Sequence, residues 1–198
     1  NRCWEWRSGG QTFSNLPRPS LYNVRQLENA AGVLMVLLAL AERLPVPDAA
    51  IRRGLEEFNL NGRFQIVPDR AQLILDVAHN PQSMQLLASN LKGLPVAGST
   101  HVIIGMLNDK NHPAIFKAIM DQVDYWHLVS LEGPRGTASD TLGEELAALD
   151  ITGTIASYHS VAEAINHVRT LVGPQDRIVV TGSFLTVGAA LRHLRVAR

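Results

Sequence analysis

The sequence predicts an α/β fold: a mostly parallel sheet with helices on both faces and an antiparallel pair of strands at one edge. From residue 63 onward, short apolar runs alternate with stretches of helical period, the pattern of strands connected through helices. Most of these runs are apolar throughout rather than at every second position, as in strands buried on both sides. The tight connection Pro68-Asp69-Arg70-Ala71 joins the first two runs closely enough for an antiparallel pair.

The N-terminal region has a different character. It holds a short aromatic stretch at Trp4 and Trp6, a Pro-rich link (Leu16-Pro17-Arg18-Pro19) and two helical patterns. The first predicted helix covers 24–43 and stops before Pro45; its apolar run at 30–41, interrupted by Gly32, reads as a buried helix. That run is too short to span a bilayer, which takes about 20 residues. A second helix begins near Pro47-Asp48 and sets Ile51, Leu55 and Phe58 at helical spacing. Residues 59–62 break the pattern and mark a boundary between domains 1–60 and 61–198. Beyond it, strands are expected at 64–67, 73–76, 101–105, 124–131, 154–158 and 177–181. Helices are expected at 81–91, 113–123, 139–149, 160–171 and 184–195. Asn80-Pro81 supplies a cap and a first-turn proline, Ser160 to Glu163 a capping box, and Val187, Ala190, Leu191 and Leu194 one apolar helix face.

Composition narrows the function. A chain of 198 residues, 46% hydrophobic and 18% charged, buries one full core and part of a second. Lys plus Arg (18) equals Asp plus Glu (18), so no nucleic-acid or membrane-surface footprint is expected, and a small-molecule ligand fits better. The single cysteine, Cys3, excludes an internal disulfide and argues for a reducing, cytoplasmic setting. No signal peptide is apparent, and Asn1 in place of Met predicts a fragment of a longer chain.

Open α/β sheets bind ligands outside the carboxyl ends of their strands, so the loops at that rim hold the candidates. Asp76 closes an apolar strand, where it either ties down the loop or accepts hydroxyls from a ribose. His79 precedes a helix N-terminus, where N–H groups and the dipole favour an anion; it either packs or meets such a group. Residue chemistry alone favours the plainer member of each pair. Arg63 offers a planar fork for phosphate or a surface ion pair. Lys110 steadies an anion or pairs with Asp109, and 133–136 reads as a turn. Ser183 caps the last helix or touches substrate, and Asn29, on an otherwise apolar helix, needs a partner that is either backbone or an adenine edge. Neither a Gly-x-Gly-x-x-Gly after a strand nor a Walker-type phosphate loop occurs, so a dinucleotide-dependent dehydrogenase is disfavoured and the chain cannot cradle ATP phosphates alone.

Six segments in order carry a resemblance: Glu28-Asn29-Ala30-Ala31, Asn61 to Gln65, Leu75 to Pro81, Gly105 to Lys110, Leu131 to Gly136 and Thr181 to Phe184. The series resembles the C-terminal half of bacterial dihydrofolate synthase/folylpolyglutamate synthase, within the Mur ligase superfamily, over essentially the whole chain. The resemblance implies that 1–60 finish a central ATPase domain and that 61–198 form a Rossmann-like C-terminal domain. It implies that Asn29 contacts adenine, Arg63 the ATP phosphates and Asp76 the ribose side, with His79 and Ser183 near the incoming L-glutamate. Arg63 and His79 would be the catalytic members. It also implies ATP and Mg2+, with the phosphate loop and magnesium ligands in the preceding half, and a monomer acting on dihydropteroate or reduced folate.

The implied reaction is phosphorylation of a folate or pteroate carboxylate to an acyl phosphate, then displacement of phosphate by the amine of glutamate. Where the family often has a second acidic residue after Asp109-Lys110, this chain has Asn111, which leaves any shared charge role of that loop unassigned. Two other readings stay open: half of a Mur-type ligase for peptidoglycan precursors, and a non-catalytic nucleotide- or glutamate-binding module.

Overall fold

The computed structural model describes residues 3–19, 26–58, 60–149 and 153–196. Their contacts divide the chain into two units, Asn1–Leu60 and Asn61–Arg198.

The first unit opens with a hairpin that the sequence reading does not predict. Strands β1 (Cys3–Ser8) and β2 (Gln11–Pro17) pair antiparallel around Gly9 and Gly10, both with positive φ. Helix α1 spans Gln26–Ala39, shorter than the predicted 24–43, and turns replace it through Arg43; Val24 and Arg25 lie outside the described residues. Helix α2 spans Asp48–Glu57. Leu34, Trp6, Leu16 and Ile51 form a small core, and Arg52 donates to the carbonyls of Ser14 and Asn15, tying α2 to the hairpin. The expectation of a buried first helix fails. Only Ala30 and Leu34 of α1 are buried, and Val33 and Val36 are each 57% exposed, because within the unit the hairpin and α2 cover one side of it alone. Asn29 is exposed as well, so its amide does not need the buried partner predicted for it.

The second unit is the doubly wound fold that the alternation predicts. Its strands are β3 (Gln65–Val67), β4 (Gln72–Leu75), β5 (Thr100–Ile104), β6 (Tyr125–Val129), β7 (Thr154–Tyr158) and β8 (Arg177–Thr181), in the sheet order β3-β4-β8-β5-β6-β7. The β3–β4 pair is antiparallel with Gln65 opposite Leu75, and all other pairs are parallel. Alternate residues of β4, β5 and β8 face opposite sides, so each face builds its own core. Ile74, Val102, Ile104 and Val179 meet α3 (Pro81–Lys92), α4 (His112–Ile119) and α5 (Ser139–Ala147). Leu73, Leu75, Ile103 and Val180 meet α6 (Val161–Leu171) and α7 (Phe184–His193).

The helix ends follow their caps. Asn80 accepts from the N–H of Ser83 while the Ser83 hydroxyl accepts from the N–H of Asn80, a closed capping box. At α6 the Ser160 hydroxyl accepts from the N–H of Glu163, but Glu163 returns its bond to the N–H of His159, one residue earlier than a capping box requires. Helix α4 gives way to a 3-10 turn at Met120–Gln122, ending sooner than the predicted 113–123. Among the described residues no helix is long and apolar enough to cross a membrane.

Candidate active site

Strand β4 leads into α3 on one face of the sheet, and its neighbour β8 leads into α7 on the other. The two connections therefore diverge at the carboxyl ends of adjacent strands, the place where doubly wound sheets receive ligands. Here they are stitched together: the N–H of Gly182 donates to the Ala78 carbonyl at 3.0 Å, and the Thr181 hydroxyl donates to the same oxygen at 3.3 Å. Gly182 has φ +103, and a Cβ on it would stand 2.5 Å from the Gly105 oxygen. Only glycine lets β8 end this close to β5.

Arg63 sits in a turn between Gly62 (φ +74) and Phe64 (φ +45). A positive φ is costly for phenylalanine, so something must hold it. Asp76 does: one carboxylate oxygen accepts from the N–H of Phe64 at 2.8 Å, and the other accepts from the N–H of Ala78 at 2.8 Å. Burial pushes the Asp76 carboxyl above its usual range, against the opposing pull of those two N–H groups and of the Arg63 and His79 charges. The loop-tying role of Asp76 is thus visible, and its effect is to fix the backbone on both sides of Arg63.

Arg63 is exposed and makes no ion pair among the described residues. Its guanidinium carbon lies 5.8 Å from the centroid of the Phe184 ring. The His79 ring lies 5.6 Å from the same ring, tilted by 48°. His79 Nδ1 is 2.8 Å from the Val77 carbonyl. A carbonyl only accepts, so Nδ1 carries the hydrogen and Nε2 is the nitrogen left for a ligand. Arg63, His79 and Phe184 thus meet at the switch point, beside the N-termini of α3 and α7.

The other candidates are placed differently. Ser183 is 2% exposed, and its hydroxyl accepts from the N–H of Thr186 while sharing a 2.7 Å bond with the Thr186 hydroxyl. Capping, the first of its two readings, is what the geometry displays. Lys110 pairs with Asp109 at 3.0 Å, and Arg135 reaches the same carboxylate at 3.2 Å, so the loops after β5 and β6 are joined by charge. The hydrogen bond from Lys110, followed by that from Arg135, holds the Asp109 carboxyl below its usual range. Residues 133–136 form the expected turn, closed by the N–H of Gly136 donating to the Gly133 carbonyl. Asn29 belongs to the first unit and stands apart from this cluster in the sequence. Among the described residues no group of three or more His, Cys, Asp or Glu side chains is arranged to hold a metal ion.

Two residues escaped the sequence reading. His112, 4% exposed, sets Nδ1 2.7 Å from Glu145 and Nε2 2.9 Å from the Leu107 carbonyl, bracing the loop that carries Asp109. Phe184 ends the last of the six resembling segments without a role of its own, and it is 60% exposed.

Comparison with known proteins supplies the family and supports the fold. The family profile described as "Mur ligase, glutamate ligase domain" matches residues 62–184. The dihydrofolate synthase/folylpolyglutamate synthase of Escherichia coli strain K12 is 35% identical over 98% of this chain and 43% of its own length. The enzyme of the same name from Haemophilus influenzae is 30% identical over 93% of this chain and 45% of its own. Among solved structures, E. coli FolC in complex with DHPP and ADP superposes with a TM-score of 0.85 at 34% identity, covering 98% of this chain and 44% of that one. A bifunctional folylpolyglutamate synthase/dihydrofolate synthase with Mn, AMPPNP and L-glutamate bound gives a TM-score of 0.84 at 35% identity, covering 99% of this chain and 45% of that one. The chain thus spans less than half the length of these relatives. It belongs to the Mur ligase family, whose glutamate ligase domain its residues 62–184 match.

Proposed function

We propose that this chain is the C-terminal part of an ATP-dependent ligase that joins L-glutamate to dihydropteroate or to a folylpolyglutamate through an acyl phosphate. The observation that carries the proposal is Arg63: an exposed guanidinium without an ion pair among the described residues, held at the switch point of a glutamate ligase domain beside His79. An unneutralised planar cation on a fixed turn fits a phosphate better than it fits a structural role. The relatives with ADP, or with AMPPNP and L-glutamate, support the same ligand classes.

In the proposed reaction the acceptor carboxylate attacks the γ-phosphorus of ATP, ADP leaves, and an acyl phosphate forms. The amine of glutamate then attacks the acyl carbon, phosphate leaves, and the nitrogen sheds its proton as the amide forms. Phosphoryl transfer is governed by positioning and charge neutralisation. Arg63 neutralises the transferred phosphoryl group, and Nε2 of His79 meets the incoming amino acid. Asn29 contacts adenine. Asp76 keeps an acceptor capacity for the ribose beyond its two backbone bonds, since a carboxylate has about four lone-pair sites. Ser183 lies beside the glutamate pocket. Residues 1–60 close the ATPase domain, and a phosphate loop and magnesium ligands come from the preceding half; Mg2+ bound there supplies charge neutralisation at the phosphates. The enzyme is a cytoplasmic monomer.

The test is ligation by the full-length protein, measured as phosphate release and amide product from ATP, L-glutamate and either dihydropteroate or a reduced folate. Arg63→Ala is expected to cut turnover by about a hundredfold or more while the protein stays folded, the scale seen when one charge-stabilising donor is lost. Unchanged kinetics would remove Arg63 from the site. Activity on a UDP-muramoyl acceptor instead would move the enzyme to cell-wall chemistry. Turnover by residues 1–198 alone would refute the need for a preceding half.

A further inference from the structure

We propose that Phe184 is a positioning residue for Arg63: its exposed ring is the platform that holds the guanidinium over the switch point. The proposal rests on the ligase reading above and extends it to a residue that neither the sequence motifs nor the family comparison assigns a role.

Phe184 opens α7 immediately after the cap Ser183. Thr186 and Val187 of the same helix are buried, whereas Phe184 is 60% and its neighbour Leu185 53% exposed; of these two, Phe184 is the one against which a charged side chain is seen. An apolar ring of that size in water contributes little to the core, so packing does not explain it. What it touches does. The Arg63 guanidinium lies 5.8 Å from the ring centroid, within the range of a cation–π contact. Among the described residues the Arg63 side chain shows no ion pair beside this contact. A free arginine on a turn samples many rotamers, and ordering it at the moment of reaction costs conformational entropy. A ring that engages the planar face leaves the N–H edges free for a phosphate, as an ion pair would not.

The backbone on either side is rigid enough for this to matter. Asp76 clamps the turn that carries Arg63 through the N–H of Phe64. The stitch from Gly182 to Ala78 sets where α7 begins. Both ends of the Arg63–Phe184 contact are therefore fixed, and the ring settles the last free torsions between them. The His79 ring flanks Phe184 at 5.6 Å, which keeps the platform from turning away.

The experiment compares Phe184→Leu and Phe184→Tyr in the full-length ligase, each also combined with Arg63→Ala. Leucine keeps apolar bulk and removes the π face; tyrosine keeps the face. Phe184→Leu is expected to lower kcat by about two- to fivefold, the scale of a cation–π contact at an exposed site. Phe184→Tyr should restore kcat to within about twofold of the parent by the same reasoning. In the Arg63→Ala background Phe184→Leu should have no further effect, because the residue acts through the arginine. Thermal unfolding should shift by no more than about 2 °C for Phe184→Leu, as for other exposed positions. Parent-like kinetics for Phe184→Leu, failure of tyrosine to restore kcat, full additivity with Arg63→Ala, or a large fall in Tm would each overturn the proposal. Absence of ligation by the parent enzyme is a different result, and it would overturn the ligase reading itself.

Discussion

Asp76 shows how much a single side chain decides at this rim. Its carboxylate accepts from two backbone N–H groups on two different segments, Phe64 before the sheet and Ala78 after β4. Asn in its place has one acceptor oxygen and turns an N–H donor toward another N–H. Leaving a buried N–H unsatisfied costs about 1–3 kcal/mol. Asp76→Asn is therefore expected to lower stability by that amount in urea unfolding, and to lower ligase turnover further than the stability change explains, since the Arg63 turn loosens. Equal turnover in Asp76→Asn and parent would separate Asp76 from Arg63. The carboxylate was legible in the sequence as a strand-closing acid. Its partner at Phe64 was not, because that contact depends on a positive φ that phenylalanine rarely adopts. Arg63 was equally visible, but only the structure shows that the ion pair expected of an ordinary surface arginine is absent among the described residues.

Among the elements, the β8–α7 junction combines a close approach with a left-handed backbone. A Cβ at Gly182 would approach the Gly105 oxygen to 2.5 Å and the Ile104 side chain to 2.8 Å, at φ +103. Gly182→Ala combines backbone strain with overpacking and is expected to cost about 2–5 kcal/mol. Gly133 is the control: its φ is +93, but a Cβ there would meet nothing within 4 Å. At that position alanine meets strain alone, about 1–2 kcal/mol. Urea midpoints for the two variants test the difference, and equal losses would refute the close-approach argument.

Element recognition from sequence succeeded wherever a strand was apolar on both sides and a helix carried its cap, as at β8 after Asp176 and α3 after Asn80. It failed at β2, where Phe13 and Leu16 face Trp6 and Trp4 across a register shift. Asn15, at φ +53, absorbs the irregularity, so the two apolar residues fall three apart instead of two and the strand period is hidden. Helix α1 differs in the other direction: its apolar composition predicts burial, yet Val33, Met35 and Val36 are exposed.

At the scale of the whole molecule, the pH dependence of stability follows from a buried chain on the α6 side of the sheet. His101 Nδ1 lies 3.1 Å from His127 Nε2, and His127 Nδ1 lies 3.1 Å from the Tyr158 hydroxyl, so the chain links β5, β6 and β7. Two imidazolium rings cannot share the first bond, because neither nitrogen could accept. Burial first, then the neighbouring His101 and His167 charges, push His127 down to about 4. Burial also lowers His101, against the pull of Asp176 and Asp124. A histidine depressed in the folded state refuses a proton that the unfolded chain takes up. Its stabilisation is therefore complete above the unfolded value of 6.5 and is lost as pH falls from there toward 4. The loss amounts to about 3 kcal/mol for His127 across that window. Asp76, raised by burial, acts in the opposite sense at lower pH: its contribution is full when protonated and declines as pH rises through its folded value. Urea unfolding between pH 7 and 4 should show stability falling with acid, and His127→Phe should flatten that slope. An unchanged slope would exclude the His127 chain as its source.

Strand β8 lies between β4 and β5 although it comes last in sequence among the described strands. The Thr181 hydroxyl reaches the Ala78 carbonyl across 103 residues of sequence. During synthesis β4 and β5 leave the ribosome long before the strand that separates them, and neither can complete its hydrogen bonding until residues 177–181 emerge. The nascent domain thus carries two inner strands, each paired on one side by β3 or β6 and open along the other edge, until β8 emerges, the condition under which β-rich chains associate wrongly. Closure of the sheet and assembly of the Arg63–His79–Phe184 cluster are then one event, since Phe184 arrives with β8. A chain whose synthesis stops short of that strand has neither a closed sheet nor a site.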